Sequence, residues 1–199
     1  MENETQFDQK KNDLSGLTTG KLLIMSVVSA NIYLFISLLI IKYLHEGWVV
    51  DLFDSNYMVF EQVGFGVGAG LLSSAIIFLI IKIPPVSNVL SDFSVFKALS
   101  TVHFSLFDKI QISVFAGAGE EILFRGAIQP LIGNVFTSII FIGIHGYFKF
   151  KSPGHILFGL MMFGLSLMLG FLALYVGLIA AMIAHSVYDL VMLILIQKK

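Results

Sequence analysis

The chain contains no cysteine, and charge is scarce: Asp, Glu, Lys and Arg make up only 13% of its 199 residues. Without cysteine there is no disulfide, no thiolate metal site and no cysteine nucleophile. The formal net charge of −1 says nothing about partners, and a nucleic-acid partner, which has no basic stripe to rest on, is not expected. Four prolines leave long stretches of chain uninterrupted. A soluble domain is about 25% charged; here 57% of the residues are hydrophobic and the mean hydropathy is +0.90. That composition belongs to an integral membrane protein. Because every backbone polar group must be satisfied inside a bilayer, the expected fold is all-α, a polytopic helix bundle.

Six segments approach the ~20 apolar residues needed to cross the hydrocarbon core: Leu22–Tyr43, Phe60–Ile83, Ile110–Gln129, Asn134–Phe150, His155–Leu174 and Val176–Ile196. The fourth is short, and the last two are split near Tyr175–Gly177 only because their joint run is too long for one crossing. Residues 1–21 are polar and read as a tail rather than a signal peptide. Residues 22–109 hold two spans and a connection from Pro84, which is an amphipathic interfacial helix or a plain loop. Residues 110–196 hold a core of four helices. With six spans, Lys10, Lys11, Lys21, Lys82, Lys97, Lys109, Lys149, Lys151, Lys198 and Lys199 fall on one side and Lys42 alone on the other. This bias predicts a cell-membrane protein with both termini cytoplasmic. Gly64, Gly66, Gly68 and Gly70 lack the spacing and the strand of a dinucleotide fingerprint. In a membrane helix they form two overlapping small-xxx-small pairs suited to close packing.

Three charges interrupt the apolar pattern of the third span: Glu120, Glu121 and Arg125. A charge at bilayer centre opposes insertion by ~2.5–3.5 kcal/mol, so such groups face an interior where they pair or react. The fourth span carries Phe141 and His145, and the sixth carries His185 and Asp189. Each of these pairs, like Glu121 and Arg125, is spaced i,i+4 and shares a helix face. Glu120 points about 100° away from Glu121. Counted from the expected turns, Glu120, His145 and His185 all lie roughly 13–16 Å deep. His45, His103 and His155 lie in or beside loops and carry no expected role.

These groups suit the activation of water. No serine sits in a nucleophile elbow, and the zinc motif H-E-x-x-H is absent. A carboxylate in a low-dielectric site beside a like charge holds a proton readily enough to serve as a general base. A histidine can then donate a hydrogen bond to the oxyanion that forms on an attacked carbonyl. The chemistry indicated is hydrolysis of an acyl bond, plausibly a peptide, within the membrane.

At these positions the chain resembles the CAAX prenyl endopeptidase and bacteriocin-processing (CPBP, Abi) family of membrane proteases. The family signature E-E-x-x-x-R, F-x-x-x-H and H-x-x-x-N/D matches Glu120-Glu121 with Arg125, Phe141 with His145, and His185 with Asp189. The resemblance covers about Ile110 to Ile196 and implies an intramembrane endopeptidase acting on a membrane-associated peptide or protein. It implies Glu120 or Glu121 as base, with Arg125 holding the other. His145 would position the water, His185 with Asp189 would serve the oxyanion, and Phe141 would contact substrate. The prenyl-protease branch usually has Asn at the place of Asp189; an ionised aspartate only accepts hydrogen bonds and would orient His185. No cofactor is expected; were zinc bound, its ligands would be Glu120, His145 and His185.

Two other readings use the same residues. One is a non-proteolytic bacteriocin-immunity or scaffold protein that retains the motifs. The other is a proton-coupled transporter, against which stands the lack of an inverted repeat or matched broken helices. The topology is testable directly. Reporter fusions after Lys109, Lys151 and Lys199 should report cytoplasm, and one after Asp54 the opposite side. An extracytoplasmic signal after Lys151 would remove a span and undo the common depth.

Overall fold

The structure, a computed structural model, describes residues 18–93, 96 and 102–197. Residues 1–17 of the expected tail, with Lys10 and Lys11, and Lys97, Lys198 and Lys199 lie outside the described residues. The described elements are all helical: α1 (Thr19–Leu44), α2 (Val59–Ile80), α3 (Leu106–Glu121), a π-helical turn (Ile122–Ile128), α4 (Gln129–Ile144), α5 (Pro153–Tyr175) and α6 (Leu178–Gln197). Five apolar runs are long enough to cross a membrane, and the protein is a multi-pass membrane protein. The split between the last two spans is made by Val176 and Gly177, the latter at φ 136°.

The expected third and fourth spans fall within one run, Leu106–Ile144, of 39 residues. It is not one straight rod. A continuous helix would hold residues 120 and 145 about 37 Å apart at 1.5 Å per residue, yet Glu120 and His145 face each other at 3.5 Å. The chain turns back at Gly133, whose φ of 81° and ψ of 164° break the helix. A side chain would be strained there, so glycine is required.

The fourth span needs a correction. Its helix ends at Ile144, not Phe150, and the return leg from Asn134 is only about 16 Å long. Beyond it the chain turns at Gly146 and runs without regular structure to Ser152, with Phe148, Phe150 and Lys151 exposed.

Small residues bring the helices together around α6. Ala180, Ala181 and Ala184 are completely buried, facing Gly66 and Gly70 of α2. A Cβ on Gly66 would lie 2.7 Å from the Ala180 carbonyl, and one on Gly70 2.7 Å from that of Ala184. The second glycine pair, Gly64 and Gly68, meets nothing within 4 Å. Only one of the two small-residue registers is used.

The helix ends are tied on one side. Thr19 of α1 donates to the His103 carbonyl at 2.8 Å, and Gln197 of α6 donates to that of Val102 at 2.7 Å. After the second span the chain runs through turns and a short 3₁₀ segment, Leu90–Asp92, burying Val86, Val89 and Phe93. Phe93 packs on Phe158 at 4.5 Å between ring centroids. The N-terminus of α5 is pinned there too: His155 bonds Asp92 at 3.1 Å and Ser152 at 2.8 Å. Tyr43, Trp48, Tyr57 and Tyr175 are exposed at the other end, as interfacial aromatics commonly are.

The packing predicts an asymmetry between neighbouring glycines. Gly66→Ala should destabilise the protein by about 1–3 kcal/mol, because its Cβ meets backbone rather than a movable side chain. Gly68→Ala should change stability by no more than about 0.5 kcal/mol. Thermal unfolding in detergent measures both, and equal midpoints would show that α2 does not meet α6 through Gly66.

Candidate active site

The polar centre is built on the π-helical turn that follows Glu121. Pro130, just beyond it, lacks the N–H that would bond the Gly126 carbonyl, which loosens this part of the helix. His45, to which the sequence gave no role, supplies its ring nitrogen Nε2 to the Ala127 carbonyl at 2.8 Å. Single wide turns of this kind recur at functional sites. Here the turn carries Arg125 and follows directly on the two glutamates.

The two adjacent carboxylates have different surroundings. Glu121 is wholly buried, with one oxygen 3.0 Å from Arg125 Nε and the other 2.8 Å from His185 Nδ1. Arg125 Nη2 donates to Ser166 Oγ at 2.9 Å and to the Ser166 carbonyl at 3.2 Å. Its guanidinium lies 5.1 Å from the Phe141 ring centre. Glu120, by contrast, retains 12% side-chain exposure and turns one oxygen toward His145 Nε2 at 3.5 Å and His185 Nε2 at 3.9 Å. Those separations exceed a direct hydrogen bond, so Glu120 faces the imidazoles without being locked to them.

Each histidine is oriented through Nδ1. His145 Nδ1 lies 2.7 Å from the Phe141 carbonyl, which only accepts, so Nδ1 carries the hydrogen. His185 Nδ1 likewise meets the Glu121 carboxylate, leaving Nε2 directed toward Glu120 and toward Asp189 Oδ2 at 3.6 Å. Phe141 is mostly buried, its ring 5.0 Å from Phe124 and 4.4 Å from His145.

Glu120, Phe141, His145, His185 and Asp189 all line one cavity of about 320 Å³. Most of its remaining wall is apolar, from Ile112, Met162, Leu165, Leu193 and Ile196 among others. The structure thus gathers every expected site residue: five on the cavity wall, with Glu121 and Arg125 immediately behind. It adds three side chains that the sequence reading passed over. Ser166 anchors Arg125, and Tyr147 and Tyr188 share the cavity wall. Both tyrosines had a positional hint in the sequence: Tyr147 lies two residues after His145, and Tyr188 lies between His185 and Asp189.

Among the described residues, no three His, Asp or Glu side chains are placed to hold one metal ion. The zinc set considered from sequence, Glu120, His145 and His185, is arranged as a carboxylate facing two imidazoles.

The chain is thus a multi-helix membrane bundle with carboxylates and imidazoles around one cavity and a guanidinium behind them. Residues 102–191 match the family model described as type II CAAX prenyl endopeptidase Rce1-like, and over that segment, a little under half of its length, the chain is similar to that family. The segment contains all seven expected site residues. No curated protein and no solved structure matches the chain.

Arg125 should matter for the fold as well as for the site. Removing one partner of a buried ion pair costs ~3–5 kcal/mol. Arg125→Ala is expected to lower the yield of folded protein and any activity, while Arg125→Lys keeps charge and loses mainly the fork to Ser166. Normal accumulation and full activity of Arg125→Ala would show that the pair with Glu121 does not support the site.

Proposed function

We propose that the protein is an intramembrane endopeptidase in which Glu120 activates the attacking water. One observation carries this reading: both oxygens of Glu121 are engaged by Arg125 and His185, whereas Glu120 faces the cavity and two imidazoles. The family matched over residues 102–191 is described as one of endopeptidases, which supports the same chemistry.

A water resting against Glu120 gives up a proton to the carboxylate as its oxygen bonds the scissile carbonyl carbon. The carbonyl π pair moves to oxygen, and the oxyanion is stabilised by donors from the histidine side of the cavity. On collapse the C–N bond breaks and the proton held by Glu120 passes to the leaving nitrogen. His145 positions the water. His185 can donate from Nε2 when its ring carries both protons, with Glu121 beside Nδ1 and Asp189 beside Nε2. Asp189 accepts only, so it orients His185. Glu121 and Arg125 hold that imidazole in place and keep the second carboxylate out of the reaction.

The steps use the chain's own residues and no metal. The substrate is a membrane-associated peptide or protein that reaches the cavity from lipid or from the lysine-rich side. That side is cytoplasmic in this reading, and the protein resides in the cell membrane.

Purified protein in detergent or liposomes, incubated with membrane-associated peptides and read by mass spectrometry, tests the proposal. Glu120→Gln should lose about 10²–10⁴-fold in rate, and His185→Ala about 10²–10³-fold, while both still insert. Glu121→Gln and His145→Ala should also lose most cleavage. Chelator should leave activity intact; loss restored by zinc would overturn the metal-free step alone. If no peptide is cut and Glu120→Gln still supports the cellular role, an immunity or scaffold function replaces proteolysis.

A further inference from the structure

An oxyanion in this cavity needs hydrogen-bond donors, and the wall is rich in acceptors. Glu120 and Asp189 both line it, and an ionised carboxylate donates nothing. His185 Nε2 has these same two carboxylates beside it, at 3.9 and 3.6 Å. Ser166 Oγ already accepts from Arg125. Of the two tyrosines, Tyr188 turns its hydroxyl toward the Met162 sulfur, 4.0 Å away. Tyr147 is different. It lines the cavity with Glu120, His145 and His185, and its hydroxyl enters no hydrogen bond among the described residues.

We propose that Tyr147 is a catalytic residue whose hydroxyl donates a hydrogen bond to the oxyanion formed in this cavity. The proposal rests on the proteolytic reading above. Tyr147 shares the cavity wall with both Asp189 and Glu120 and stacks on His145, which puts it on the reacting side of the cavity. A phenol, with an ordinary pKa of about 10, carries its proton at neutral pH and donates without first being charged.

The ring is also held still, as a preorganised donor must be. Its backbone N–H bonds the Ile142 carbonyl at 3.1 Å, immediately after the turn at Gly146. One face stacks on His145, centroids 5.8 Å apart and planes 15° from parallel. Phe158 and Phe93 hold it edge-on at 5.5 and 6.0 Å. A Cβ on Gly159 would lie 3.0 Å from the Tyr147 carbonyl, so glycine there lets α5 close on this segment. The segment connecting α2 to α3, through Phe93, thus helps to fix a group in the cavity.

A plainer role exists, in which Tyr147 serves only as a prop for His145. The ring alone would do that, so phenylalanine separates the two. Tyr147→Phe keeps the stacking and removes the donor. Steady-state cleavage by purified wild type, Tyr147→Phe, Tyr188→Phe and Glu120→Gln in liposomes should show kcat for Tyr147→Phe lowered about 10²-fold with KM little changed. Its thermal unfolding midpoint should match that of wild type. An unchanged kcat, a loss confined to KM, or a fall seen only in Tyr188→Phe would each overturn the proposal. In those cases wild-type cleavage that Glu120→Gln abolishes leaves the proteolytic reading standing. Absence of cleavage by the wild type would overturn both.

Discussion

The Glu121–Arg125 ion pair is the constraint from which the rest of the site follows. Two carboxylates adjacent in sequence cannot both be left charged in an apolar bundle without compensation. Arg125 takes up one of them at 3.0 Å. Ser166 of α5 takes up the far side of Arg125, and His185 of α6 takes the other oxygen of Glu121. A single buried pair on the π-helical turn therefore sets the relative placement of three helices. It also leaves Glu120 as the carboxylate with room to act. Neutralising one glutamate and leaving its neighbour reactive are the same structural event.

The broken fourth span is the second constraint. Gly133 reverses the chain, and α4 ends where His145 reaches the level of Glu120. A full-length helix would have carried its last turn past that level and filled the interior with backbone. Ending it early leaves polar backbone that must find partners inside the bundle. The His145 ring meets the Phe141 carbonyl, the Tyr147 N–H meets the Ile142 carbonyl, and the irregular stretch beyond packs on Phe93 and Phe158. The cavity exists because the helix stops.

Much of this was legible in the sequence, for identifiable reasons. The i,i+4 spacing of Glu121 and Arg125 sufficed to pair them, because their stacking is local to one stretch of helix. His145 and His185 could be matched by depth, since 1.5 Å per residue ties position to level in any membrane helix. The partition between Glu120 and Glu121 was not legible. Their roughly 100° separation says that they face different neighbours, but which neighbour lies on which side is a tertiary fact. The end of α4 was missed because the aromatic residues Tyr147, Phe148 and Phe150 around Lys149 extend the hydrophobic pattern of the helix before them. Pro130 and Gly133 did mark the break, three residues apart, but read together they look like an ordinary inter-span turn. The glycine series in α2 offered two packing registers of equal merit, and only contact with Ala180 and Ala184 distinguishes them.

The balance of donors and acceptors around the cavity then limits what can react there. Glu120 and Asp189 supply acceptors in excess, and the only guanidinium is committed to Glu121 and Ser166. No fixed positive charge among the described residues of the wall is available to hold an anionic group of a substrate. On the proposed proteolytic reading, binding would come mainly from the apolar wall that Ile112, Leu165, Leu193 and Ile196 provide, with the polar end reserved for the bond being broken. Such a site would hold its substrate by the hydrophobic stretch beside the scissile carbonyl and meet the new charge only when the oxyanion forms. Interactions that strengthen as charge develops lower the barrier, whereas equal binding of substrate and transition state would not.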